Sequence, residues 1–93
     1  VIVADINGDS RGDVIVANSG SNNVGILLNH GNGTLSPQVT YPAGTGPYSV
    51  AAADINGDSK LDLIVANTGG QNVGVLLNTG NGTFAPQVTY PTG

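Results

Sequence analysis

The chain has 93 residues, a net charge of -4 and two basic side chains, Arg11 and Lys60. That balance argues against nucleic acid, which needs a basic footprint. No apolar run approaches the roughly 18 residues of a membrane-spanning helix, so no membrane partner is expected either. Cysteine is absent, which excludes disulfides and thiolate metal sites. The length suits one small domain or a piece of a larger one, with a limited core. The chain begins without an initiator Met or a signal peptide, as an excised or processed segment would.

Residues 1–44 align with residues 50–93 at a constant offset of 49 without a gap, and 31 of the 44 positions are identical. A period in this range marks a repeat array, and propeller blades are the usual all-β form. The near-identity points to recent or deliberate duplication. Residues 1–44 are read as a first blade, 45–49 as a link and 50–93 as a second blade.

Taken in chain order, each copy offers four short strands. The first is Val1–Asp5, matched by Ser49–Asp54. The second is Asp13–Ala17, matched by Asp62–Ala66. The third is Val24–Leu28, matched by Val73–Leu77. The fourth lies around Gln38–Tyr41, matched by Gln87–Tyr90. Val, Ile, Leu, Thr and Tyr supply the β-propensity, and clusters of Gly, Asn, Ser and Pro separate the runs. No window holds a 3.6-residue period long enough for a helix. Val50-Ala51-Ala52-Ala53 is small and apolar on both faces, as suits an innermost strand between neighbouring sheets. Gly31-Asn32-Gly33 and Gly80-Asn81-Gly82 fall where the third and fourth strands must connect, and Asn-Gly tolerates the positive φ of tight hairpins. Asn32-Gly33-Thr34 and Asn81-Gly82-Thr83 also match the glycosylation sequon, but turn chemistry accounts for both.

The charge pattern is the most specific signal. All six acidic residues are Asp, and they fall in two equivalent loops: Asp5, Asp9 and Asp13, then Asp54, Asp58 and Asp62. Asn7 and Asn56 complete the pattern Asp-x-Asn-x-Asp-x-x-x-Asp. Like charges a few ångströms apart repel by roughly 1–4 kcal/mol, so three carboxylates within one short loop need a compensating charge. Oxygens at loop positions 1, 3, 5 and 9, with the backbone carbonyl of Arg11 or Lys60 at position 7, can wrap one hard cation. Calcium accepts flexible oxygen cages, magnesium demands a tighter octahedron, and softer metals prefer His or Cys. One Ca2+ per blade is therefore expected. An EF-hand is excluded: its twelfth-position Glu is replaced by Val16 and Val65, and strands rather than helices flank the loop.

The first loop also contains Arg11-Gly12-Asp13, the tripeptide that adhesion receptors read. The second copy has Lys60-Leu61-Asp62 instead. The repeat retains the aspartate and not the tripeptide, so Asp13 is assigned to the ion.

At this point the sequence resembles the FG-GAP/VCBS repeats, whose blades build integrin-α-like β-propellers. The stretches that carry the resemblance are "ADINGDSKLDLIVANTG", "NVGVLLNTGNGTFAPQVTYPTG" and "GTGPYSVAAAD". It implies four-stranded antiparallel blades with calcium in the loop between the first and second strands. It also implies a secreted or cell-surface parent protein. Two departures from the family pattern stand out. Ser10 and Ser59 occupy position 6, often Gly, and Gly12 and Leu61 occupy position 8, often Pro.

Propellers close with about four to eight blades, so two blades leave an open face at each end. Strand spacing and rise give each face at least ~300 Å2. The expected solution is a head-to-tail homo-oligomeric ring, of three or four copies, in which Gly93 of one copy meets Val1 of the next. The expected function is a calcium-binding, non-catalytic scaffold. The alternative is a lectin-like module, for which the equivalent Tyr41 and Tyr90 are the candidate pocket aromatics. Catalysis lacks parts: every carboxylate lies in the loops, His30 becomes Thr79, and no Ser has a paired base.

Overall fold

The computed structural model describes residues 1–31, 33–80 and 83–92. The fold is all-β. Strands β1 (Ile2–Ala4), β2 (Asp13–Asn18), β3 (Asn23–Leu27) and β4 (Val39–Pro42) form one antiparallel sheet in that order. Strands β5 (Pro47–Ala53), β6 (Asp62–Asn67), β7 (Asn72–Leu76) and β10 (Val88–Pro91) form the second, again with sequence neighbours paired. The registers repeat: Ile15 faces Ile26 in the first sheet, and Ile64 faces Val75 in the second. Each sheet is thus a four-stranded meander of the propeller-blade type.

The expected strands are present, with shifted ends. β5 starts at Pro47, inside the stretch read as a link, and β3 and β7 each begin one residue early, at Asn23 and Asn72. Two elements escaped the sequence reading. A single 3-10 turn covers Thr68–Gly70, and a short hairpin of β8 (Asn78–Gly80) and β9 (Thr83–Phe84) extends the second blade. Its counterpart in the first blade is one bridge, Asn29 to Leu35. The tip turns read at Asn32 and at Asn81-Gly82, with both sequons, lie outside the described residues, as does Gly93.

Glycine in the middle of a strand costs packing and order, so β3 and β7 need a reason for Gly25 and Gly74. A Cβ at either position would collide with the side chain of Gln38 or Gln87, which lies across the strand. Those glutamines then accept from an asparagine pair. Asn18 Nδ2 donates to Asn23 Oδ1 at 2.7 Å and to Gln38 Oε1 at 3.2 Å. Asn67 Nδ2 donates to Asn72 Oδ1 at 2.9 Å and to Gln87 Oε1 at 3.1 Å. The prolines Pro42 and Pro91 sit in β4 and β10, the outer edges, where a missing N–H costs no ladder bond and discourages edge pairing.

The core lies largely between the blades. Ile6, Ile15, Val24 and Ile26 of the first and Val50, Leu63, Val65, Leu76 and Phe84 of the second form one buried cluster. Tyr41 packs edge-on to Phe84 with centroids 5.5 Å apart. Burying each such side chain contributes about 1.5–3 kcal/mol, so the junction is a principal source of stability. Ala51 and Ala53 of β5 remain exposed. The strand expected to lie between two sheets is covered here on one side.

Candidate metal centre

Each acidic loop joins the first strand of a blade to the second, β1 to β2 and β5 to β6. Asp5 organises the first. Its Oδ1 accepts from the backbone N–H of Gly8 at 2.8 Å and of Asp9 at 3.2 Å, and its Oδ2 from Ser10 at 2.8 Å. Asp54 repeats this with Gly57, Asp58 and Ser59 at 2.8, 3.2 and 2.8 Å. The tight wrap requires left-handed backbone at position 6, and Ser10 and Ser59 both take φ 67°. A side chain there is strained, which is the physical content of the departure from Gly.

The electrostatics follow from those amides. Burial raises the Asp5 carboxyl, but the N–H groups of Ser10, Gly8, Asp9 and Asn7 outweigh it and hold the group below its ordinary value. At Asp54 the Ser59 amide is the largest influence, and burial opposes it. The Gly57 and Asp58 amides add to the lowering, and the group again lies below its ordinary value. Both carboxylates are thereby kept charged.

Asp13 and Asp62 lie at the far end of the loops, on β2 and β6, with no exposed surface. Asp13 Oδ2 accepts from Ile6 N at 3.1 Å and Oδ1 from Asn29 N at 2.9 Å. Asp62 accepts from Ile55 N at 3.0 Å and Asn78 N at 2.8 Å. A carboxylate offers about four lone-pair sites, so each retains capacity for a further partner. One oxygen from each of Asp5, Asp9 and Asp13 lies within 4.8 Å of the others, and Asp54, Asp58 and Asp62 converge in the same way.

Two observations test whether this donor set fits a cation. Asn7 Oδ1 is buried and has no hydrogen-bond partner among the described residues. A buried acceptor without a donor is costly unless something positive meets it. In the second loop the Asn56 side-chain oxygen faces Asp58 Oδ1 at 2.9 Å and Asp54 Oδ1 at 3.2 Å; turning the amide over would make these hydrogen bonds. Oxygens so directed repel, and either a cation between them or the turned amide removes the repulsion. The residues present therefore fit a hard cation, with Asp5, Asn7, Asp9 and Asp13 in one loop and Asp54, Asn56, Asp58 and Asp62 in the other. The side chain of Arg11 is about half exposed and its Nη1 lies 3.7 Å from Asp9 Oδ2. Such an exposed pair contributes little. Lys60 is likewise exposed.

The Arg-Gly-Asp stretch has a packing explanation. A Cβ at Gly12 would fall 2.5 Å from Val3 Cγ1. In the second copy the small residue is Ala52 and the large one Leu61, which packs on the core. The pair is large-small in one blade and small-large in the other. With Asp13 fully buried, the tripeptide presents no free carboxylate to a receptor.

Among the other candidates, His30 is exposed and its Nε2 lies 2.9 Å from Ser36 Oγ. Tyr41 lines an apolar cavity of about 370 Å3 with Pro42, Leu76 and Phe84, whereas Tyr90 lies exposed. Tyr90 is not among the residues that line this cavity. A second cavity, of about 390 Å3, runs between Asp5–Gly8 of the first loop and Ser59–Leu61, Asn78 and Gly80 of the second blade. Across it Asn78 Nδ2 donates to the Ile6 carbonyl at 2.8 Å and to the Leu61 carbonyl at 3.0 Å. The sequence reading missed Asn78; its presence at the same place in both copies, as Asn29 and Asn78, was the available signal.

Paired meander sheets with an acidic loop between first and second strands define a blade-repeat protein of propeller type. The model of the FG-GAP-like repeat matches residues 5–65 and again 54–93, so the chain belongs to that family. Neither the curated proteins nor the solved structures contain a match to it. Among the described residues, no helix is long and apolar enough to cross a membrane.

Proposed function

We propose that this chain is a non-catalytic scaffold whose two blades each hold one calcium ion, and that its open faces join head to tail with further copies to complete a propeller. The observation that carries the calcium reading is the convergence of three carboxylate oxygens in each loop, with a buried Asn7 oxygen in the first that has no donor among the described residues. Oxygen donors on a flexible loop match calcium better than magnesium, and the absence of Cys and of any His in the loops speaks against softer metals. The carbonyls of Arg11 and Lys60 are the expected remaining protein ligands. The ion supplies structural charge compensation: it holds the β1–β2 and β5–β6 connections closed. Extracellular calcium levels suit such sites, in keeping with a secreted or surface setting for the family.

Assembly of three copies would give six blades and of four would give eight, within the range at which propellers close. Calorimetric titration tests the metal reading. Two calcium ions per chain are expected, with one site lost in Asp9→Ala and the other in Asp58→Ala. Absence of binding at millimolar calcium would refute it.

A further inference from the structure

The two acidic loops have the same internal bonds but different neighbours. Ile6 in the first loop is 3 % exposed, and its equivalent Ile55 is 49 % exposed. Phe84 is 8 % exposed, against 43 % for its equivalent Leu35. Tyr41 is partly buried against the core through Phe84, and its equivalent Tyr90 is exposed. In each pair the covered member lies at the junction between the blades. Ile6 and Tyr41 belong to the face that the first blade turns toward the second. Phe84 and Asn78 belong to the face that receives it. The exposed members divide in the same way. Ile55 and Tyr90 form a free face on the second blade, and Leu35 and Asn29 a free receiving face on the first.

Asn78 connects this difference to the loops. Its amide reaches two carbonyls, Leu61 in its own blade and Ile6 across the junction. Among the described residues the Asn29 amide donates only within its own blade, to the Gly12 carbonyl at 2.9 Å. The Ile55 carbonyl therefore lacks, within one chain, the brace that the Ile6 carbonyl has.

We infer that a second copy of this chain supplies its Asn29 to the Ile55 carbonyl, seats its Leu35 against Tyr90, and so completes the second acidic loop in trans. The occupant is a second copy because both halves of the contact are on this chain, and the internal junction shows those halves fitting together. The contact rests on the head-to-tail assembly proposed above and names its residues; the loop completion rests in addition on the calcium reading. In the separated chain the two ion sites are unequal, with the second the weaker, because the Ile55 carbonyl in its loop is without the brace that Asn78 gives the Ile6 carbonyl. On assembly they become equal.

The test uses light scattering on the whole chain and on two variants at exposed positions, Leu35→Asp and Tyr90→Asp. The wild type is expected at a discrete multiple of 9.2 kDa. Each variant alone is expected at 9.2 kDa with unchanged circular dichroism, because each has lost one face. An equimolar mixture is expected to form a dimer and nothing larger, since Leu35→Asp keeps the Tyr90 face and Tyr90→Asp keeps the Leu35 face. A wild type that stays monomeric as concentration rises would overturn the contact and assign the faces to another partner, such as a flanking blade. Assembly that survives in both variants, or a mixture that stays monomeric, would overturn it as well. Calcium titration of Leu35→Asp then reads the loop: two unequal sites are expected, against two equal ones in the assembled wild type. Equal sites in both would overturn the completion in trans. No calcium binding by either protein would refute the calcium reading and with it the completion, leaving the contact to be decided by the masses.

Discussion

Asn78 Nδ2 and the Ile6 carbonyl lie 2.8 Å apart and 72 residues apart in sequence, and this bond ties the first acidic loop to the second blade. The amide is buried, and its second donor contact is the Leu61 carbonyl. Replacing Asn78 by Leu leaves both carbonyls without that partner. The expected cost is about 1–3 kcal/mol, read from urea denaturation. Asn29→Leu, which breaks a bond within one blade only, is expected to cost less in the monomeric protein. Equal costs would mean that the junction bond adds nothing.

The buried aspartates make a second test. Asp13→Ala strands the N–H groups of Ile6 and Asn29, and Asp62→Ala strands those of Ile55 and Asn78. Each change is expected to destabilise the fold by about 2 kcal/mol or more even with calcium chelated, since the loss is of hydrogen bonds and not only of a ligand. A variant as stable as wild type in chelator would show that these carboxylates serve the ion alone.

Position 8 of the loop yields a double-mutant cycle. Gly12→Leu should collide with Val3 and cost roughly 1 kcal/mol, the lower end of the usual range because Val3 is exposed and has room to move. Adding Val3→Ala recreates the Ala52/Leu61 arrangement and should recover most of the loss. Additive effects would disprove the size compensation between the two positions.

The serines at φ 67° predict a gain. Ser10→Gly and Ser59→Gly should each relieve up to about 1 kcal/mol of left-handed strain, less the added flexibility of the unfolded chain. Higher melting temperatures would agree with this.

Acid provides a further check. The carboxyls of Asp5 and Asp54 are lowered in the folded protein relative to the ordinary value of 3.8. A lowered folded value means that the stabilisation is complete above the ordinary Asp range. It is lost as pH falls through that range and then through the lowered folded values. In chelator, unfolding free energy should therefore hold steady above about pH 5 and drop below about pH 4. Asp5→Asn and Asp54→Asn should flatten that drop; an unchanged acid limb would contradict the assignment.

Much of this was legible in the sequence because the repeat reports on itself. The offset of 49 places every Asp in an equivalent loop, and β-branched runs between Gly and Asn clusters mark each strand. The fold and the proposed ligand set follow from residues close in sequence. The difference between copies does not. Ile6 and Ile55 sit in identical local sequence, and only the neighbouring blade buries one and leaves the other open. The Val3/Gly12 and Ala52/Leu61 exchange is visible in the sequence as two separate substitutions, but what couples them is a contact between a strand and a loop. The β8–β9 hairpin lacks a strong strand pattern of its own; β9 is anchored by Phe84 in the core.

The most direct test of the account is anomalous diffraction from crystals grown in calcium. The account predicts one peak within each loop, bounded by Asp5, Asn7, Asp9 and Asp13 and by Asp54, Asn56, Asp58 and Asp62, with both asparagine oxygens directed at the ion. Loops without peaks, with the Asn56 amide nitrogen turned inward to Asp54 and Asp58, would contradict it.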